Sequence, residues 1–160
     1  MNQADDVRPK AFLSHPVSDY LAKDGTYRPE RRAFVAGAID ALLELKIEVE
    51  CAALHEDYGR IKLEPVEFTS YDVEAIERSN LLVLVTSERL TRDMYLEVGI
   101  AFALGLPIYL FIPASAYRRH ITYMILGFES KGKVKVYQYD SETEVPGLIR
   151  DALQDFSGQV

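Results

Sequence analysis

The chain has 160 residues, 48% hydrophobic and 27% charged, with a formal net charge of −7. That length suits one domain spanning 1–160 with a real core, and the acid excess argues against a general nucleic-acid binder, whose phosphate contacts need clustered Lys and Arg. No apolar stretch approaches the ~20 residues of a membrane span, MNQADDVRPK lacks the basic and apolar regions of a signal peptide, and the lone Cys51 cannot form an internal disulfide, so the expected compartment is the cytoplasm.

Residues 1–9 are polar and read as a loose N-terminus. Ala11 to Ser14 is a short apolar run, a first strand, broken at His15-Pro16 because Pro lacks an N–H donor. Val17 to Pro29 is polar and reads as a loop. Helical periodicity starts near Glu30, with Phe34, Ala38, Ile39, Leu42, Leu43 and Leu45 near one face. Ile47 to Cys51 alternates as a half-buried strand does, with Cys51 as a small core residue. Ala52 to Glu67 reads as a second long loop with a helical turn. Thr69 or Ser70 is placed as the cap of the next helix, which puts Asp72 in its first turn and Val73 and Ile76 inward.

The clearest unit runs from Leu81 to Pro113. An apolar run, Leu81 to Val85, meets polar Thr86 to Asp93; a helix over Met94 to Leu104 stops at Gly105 and Pro107; a second apolar run covers Ile108 to Ile112. This is strand, loop, helix, strand, a parallel βαβ unit. Ala114 to Leu126 reads as a short amphipathic helix ended by Gly127. Lys133 to Tyr137 alternates as a last strand, and Glu142 to Phe156 closes as a helix through Val145, Leu148, Ile149 and Leu153. Five strands alternating with helices, and no hairpin signal, predict an α/β fold: a flavodoxin-like (Rossmann-like) parallel sheet with helices on both faces. Ligands in such folds sit beyond the carboxyl ends of the strands. Here those ends open onto residues 14–29, 52–68, 86–94 and 113–118.

Glu97 is the first chemical candidate. An acid in the opening turn of a helix feels partial positive charge, which favours its ionised form, and an ionised carboxylate beside a ligand can attack a sugar carbon or steady a cationic transition state. The plain alternative is a solvated acid chosen for the helix dipole. Asp72 invites the same two readings, and two acids opening consecutive helices would face one cleft. TSERLTRD (Thr86 to Asp93) joins a strand end to a helix start, where anions bind free N–H groups. It has no Gly, so it is neither a P-loop nor a dinucleotide fingerprint. Thr91 and Arg92 are its candidates for phosphate, and a polar connection capped by Thr91 is the alternative. HEDYG (His55 to Gly59) lacks the second His that a zinc hydrolase needs, so no metal is expected. His55 or Tyr58 lining a pocket stands against a surface turn. Arg118, Arg119 and His120 read as a solvated helix face. Ser14, His15 and Ser87 form no nucleophile elbow, since G-x-S-x-G is absent.

Several motifs together resemble the nucleoside 2-deoxyribosyltransferase superfamily, and within it the nucleoside 5′-monophosphate N-glycosidases, such as CMP and hydroxymethyl-CMP hydrolases. The residues that carry it are the run Glu97-Val98-Gly99-Ile100-Ala101-Phe102-Ala103-Leu104-Gly105-Leu106-Pro107, the strand and turn Phe12 to Val17, HEDYG, Asp72 to Ile76, and Phe128-Glu129-Ser130. The resemblance implies that Glu97 attacks or stabilises the anomeric carbon and that Asp72 holds or protonates the leaving base. It further implies substrate contacts from Ser14, His15 and Pro16, from His55 and Tyr58, from Ser87, Thr91, Arg92 and Met94, and from Ser130. No cofactor is implied. The implied partners are a small nucleotide or nucleoside and a second copy of the chain, as a homodimer or larger, whose segment near Tyr123 to Ser130 completes the pocket; nucleic acid and membrane are not. The chain departs from the family in its phosphate loop, where Thr91 to Leu96 replaces a Ser/Gly-rich stretch and Asp93 repels phosphate. Other readings are a deoxyribosyltransferase, a TIR-like NAD hydrolase or signalling domain, and a non-catalytic nucleotide-binding module.

Overall fold

The computed structural model describes residues 8–121 and 123–156. Of the stretch read as a loose N-terminus, residues 1–7 lie outside the described residues. Pro9 is buried, and its carbonyl accepts from Glu48 N at 2.8 Å.

Five strands form one parallel sheet: β1 (Lys10–Ser14), β2 (Glu48–Glu50), β3 (Leu81–Val85), β4 (Ile108–Pro113) and β5 (Val134–Tyr139), in the order β2-β1-β3-β4-β5. Successive side chains on a strand alternate between faces, so residue parity splits the core in two. Ala11, Leu13, Leu81, Val83, Tyr109 and Phe111 pack with α2 (Pro29–Glu44) and α8 (Val145–Leu153). Phe12, Leu82, Leu84, Ile108, Leu110 and Ile112 pack on the other side with α4 (Pro65–Glu77), α5 (Arg92–Ala103), α6 (Ala114–His120) and α7 (Tyr123–Ser130). Two short helices, α1 (Val17–Tyr20) and α3 (Ala52–His55), follow β1 and β2. Every residue of β3 is buried, as a central parallel strand covered on both faces must be. Each such Leu or Val contributes roughly 1.5–3 kcal/mol by leaving water.

Several boundaries differ from the expected ones. The polar segment after β1 contains α1 and an antiparallel bridge, Leu21 to Tyr27. Leu43, assigned to the inner face of α2, is 52% exposed; Val35 and Ala41 take the inward places. Helix α4 begins at Pro65, well before Thr69. Pro65 needs no N–H donor in a first turn, and Glu64 N–H donates to the Glu67 carboxylate at 3.0 Å. Asp72 therefore stands in the third turn of α4. Likewise α5 starts at Arg92 with Thr91 as its N-cap, so Glu97 stands in the second turn and Asp93 is the first-turn acid. Gly105, at φ 74°, ends α5 as expected: Gly105 N bonds Phe102 O at 3.1 Å and Leu106 N bonds Ala101 O at 2.9 Å. Gly127 ends nothing; it lies inside α7, and a second helix stands where one was expected. The closing helix is preceded by a 3₁₀ turn, Glu142–Glu144.

Two loops beside β1 and β2 are locked together. Tyr27 N donates to Tyr58 O at 3.0 Å, and Asp57, Tyr58 and Gly59 all have positive φ. Gly59, at φ 84°, is so close to Gly25 that a Cβ would run into the Gly25 carbonyl. Gly59→Ala is expected to destabilise the fold by on the order of 3 kcal/mol, read as a lower urea midpoint at unchanged slope.

Candidate active site

The sheet order reverses between β1 and β3, since the chain leaves β1 for β2 on one side and β3 for β4 on the other. Ligands in such sheets bind beyond this point. A cleft of about 70 Å³ opens there. Its floor is the end of β1, Phe12 to His15, and its walls carry Phe68 and Asp72 of α4 and Thr91, Asp93 and Glu97. Helix α5 rises directly from the loop after β3, which brings Glu97 over the end of β1, where the Ser14 hydroxyl donates to Oε2 of Glu97. Two further cavities meet this cleft. One, of about 50 Å³ between α4 and α5, shares Phe68, Asp72, Asp93 and Glu97 and is otherwise mostly apolar (Val73, Ile76, Leu96, Ile100). The other is an outer groove of about 410 Å³ bounded by Ser18, Asp19, Arg89, Thr91, Arg92 and Asp93.

The two acids differ in their surroundings. Asp72 is 8% exposed, and its Oδ1 has no hydrogen-bond partner. Burial pushes its carboxyl up to about 7, with help from the charges of Glu56 and Asp93. For Glu97 burial pushes the carboxyl up to about 8; the Ser14 hydroxyl pulls it down, while Asp72 and Asp93 push it further up. This reverses the effect expected of a first-turn acid. Glu97 sits a turn too deep to feel the helix end strongly, and loss of solvent governs instead. Near neutral pH the pair therefore holds a proton that it can share or transfer.

The imidazole of His15 is buried. Its Nε2 pairs with the Tyr27 hydroxyl at 2.7 Å, and burial pushes its pKa down to about 4, so it is neutral at physiological pH. Tyr20 stacks on it with ring centroids 6.0 Å apart, and the Tyr20 hydroxyl accepts from Ser87 N at 3.0 Å. Tyr139 donates to Thr86 O at 2.5 Å, and Thr86 Oγ1 donates to Arg89 O at 2.6 Å. These bonds tie the loop after β3 to Tyr20 of α1 and to Tyr139 of β5 and brace it internally.

Of the residues singled out in the sequence, Glu97, Asp72, Ser14, His15 and Thr91 come together in the cleft. Arg92 lines the outer groove. Pro16 is buried as the N-cap of α1, and Met94 is buried in the second core. His55 is exposed and stacks on Tyr71 at 3.7 Å, and Tyr58 packs edge-on to Tyr27 at 5.6 Å. Ser87 lines a shallow depression with Ser115 and Arg119, and Ser130 is exposed with its hydroxyl on Gly127 O. Sequence reasoning missed Phe68 and the Tyr20–Tyr27 pair around His15; no local pattern marks either, because each depends on which loops meet. Cys51 is buried and its thiol is pushed up to about 11 by burial, which keeps it unreactive. Among the described residues no His, Cys, Asp and Glu cluster is arranged to hold a metal ion, and no helix is long and apolar enough to cross a membrane.

Ser14→Ala is expected to raise the Glu97 pKa further, because the bond it removes favours the charged form. Any activity that needs ionised Glu97 should fall about tenfold at pH 7 and recover as pH rises. A rate profile over pH for the two proteins checks this.

No protein-family model matches the chain, and no curated protein matches it significantly. Solved structures do. The CMP N-glycosidase BcmB of Clostridium botulinum is 19% identical, with 88% of this chain and 97% of that one covered and a TM-score of 0.63. BlsM, solved in solution, is 19% identical over 93% of this chain and 94% of its own, with a TM-score of 0.69. A conserved protein from Enterococcus faecalis V583 is 15% identical over 91% and 99%, with a TM-score of 0.61. At these identities the likeness is one of fold: the chain shares the parallel α/β architecture of these proteins, a CMP N-glycosidase among them.

Proposed function

We propose that the protein, as one domain, cleaves the N-glycosidic bond of a nucleoside or nucleoside 5′-monophosphate. The observation that carries this is the Glu97 carboxylate, held by Ser14 at the switch point of the sheet in one cleft with a buried acid, Asp72. A glycosidic bond breaks through a transition state with positive charge on the sugar, and a pair of carboxyl groups is the usual apparatus for it. Ionised Glu97 attacks or steadies the anomeric carbon as the C–N bond breaks, and protonated Asp72 gives its proton to the departing base nitrogen. Water then adds its oxygen to the anomeric carbon, displacing the Glu97 carboxylate where that has bonded to it, and gives one proton back to Asp72. A second base accepting the sugar in place of water would make the same site a transferase.

The singly protonated pair carries one proton and one negative charge, and it is most populated between the two titrations, about 7 and about 8. Those values belong to the pair as a whole. The same reading makes the protein a homodimer or larger, and Tyr123 and Met124, 93% and 55% exposed on α7, support it. Incubation with CMP, dCMP, cytidine, deoxynucleosides and NAD, followed by chromatography, tests the activity. Free base supports the proposal; release of nicotinamide alone, or of nothing, overturns it.

A further inference from the structure

The opening of a helix of this length offers free N–H groups and partial positive charge, which suits a phosphate. In α5 that place already holds a negative charge. Asp93 is the acid in its first turn, and it borders the two cavities that share Glu97 and the outer groove beside them. Among the described residues no Lys or Arg lines the cleft over Glu97, where Asp72, Asp93 and Glu97 are all acids. The outer groove has two cations. Arg89 lies 3.5 Å from Asp19, and Arg92 is followed directly by Asp93. The loop leading to α5, Thr86 to Thr91, has no Gly whose backbone could close around an anion. A 5′-phosphate placed at this helix end would therefore meet like charge from Asp93 and from the acid pair behind it.

We propose that Asp93 is a specificity-determining residue that sets the site against a 5′-phosphate, so that the preferred substrate is an uncharged nucleoside and not its monophosphate. This rests on the N-glycosidase reading above and narrows its substrate class. An acid serving α5 alone would leave the choice between the two substrates untouched, which separates the roles.

The test compares cytidine with CMP, and adenosine with AMP, on the full chain and on Asp93→Asn, at low and high salt. In the wild type kcat/KM is expected to favour the nucleoside about tenfold or more, less so at high salt. Asp93→Asn should move the ratio toward the monophosphate by about tenfold, mainly through KM. A wild type that favours the monophosphate, or a ratio that stays within about twofold in Asp93→Asn, overturns the proposal. Equilibrium binding of the same four compounds keeps the two readings apart. Binding that favours the nucleosides, and loses that preference in Asp93→Asn, supports the charge selection even if no base is released, and that second result counts against the N-glycosidase alone. Failure of all four to bind overturns both.

Discussion

Replacement of Glu97 by Gln is expected to slow base release by about 10³–10⁴-fold while making the protein more stable at alkaline pH. The amide has nearly the shape of the acid and can still accept from the Ser14 hydroxyl, so the floor of the cleft is preserved. It cannot carry the negative charge that the sugar carbon requires. The stability change follows from linkage. The Glu97 carboxyl titrates near 4.5 in the unfolded chain and is pushed up to about 8 in the fold. Below about 4 it is protonated in both states and costs nothing. As pH rises through the window from about 4.5 to about 8, the unfolded chain ionises freely and the folded one resists, so stability is lost. Above that window the wild type should be less stable than Glu97→Gln by on the order of 2–4 kcal/mol, with the two converging near pH 4. Urea unfolding at pH 4 and pH 9 reads the difference, and chromatography reads the rate. A variant that turns over normally would remove Glu97 from the chemistry.

Asp72→Asn is expected to change the shape of the pH profile as well as its height. In the wild type Asp72, at about 7, ionises before Glu97, at about 8, so the reactive form, with Glu97 ionised and Asp72 protonated, is the less populated of the two singly protonated forms; its population still follows a narrow bell with limbs near about 7 and about 8. Without Asp72 the descending limb disappears. The one limb left reports Glu97 alone, which ionises below its wild-type value of about 8 because a like charge that opposed it is gone. The rate on an ordinary nucleoside should fall about 10²–10³-fold, the usual contribution of a positioned acid. A substrate whose leaving group needs no proton should lose far less. That contrast identifies a proton carrier; equal losses on both substrates would mean that Asp72 only shapes the cleft.

The βαβ unit was legible because its strands are continuous apolar runs and its helix ends on Gly105, features that are local in sequence. Sheet order followed from alternation and the absence of hairpins. Helix starts were less legible. The capping pair Glu64 and Glu67 around Pro65 marks the start of α4, yet it lies in a polar stretch that reads equally well as loop, and Asp72 was placed two turns too early as a result. The error had a chemical consequence. A helix opening would have kept both acids charged, whereas Asp72 owes its raised pKa to burial between α4 and the sheet, and Glu97 to the closure of β1, α4 and α5 around it. Desolvation depends on what the fold brings from far along the chain, and no window of sequence contains it. The same holds for His15, neutral because Tyr20 and Tyr27 enclose it.

With Oδ1 of Asp72 unpartnered among the described residues, the cleft holds protons that an occupant can displace. A ligand that brings positive charge, or donates a hydrogen bond to that oxygen, would release hydrogen ions into the medium as it binds. Its measured heat would then vary with the ionisation enthalpy of the buffer, and its affinity would strengthen toward alkaline conditions. Calorimetry in phosphate and in Tris would count those ions directly and show which occupants engage the two acids.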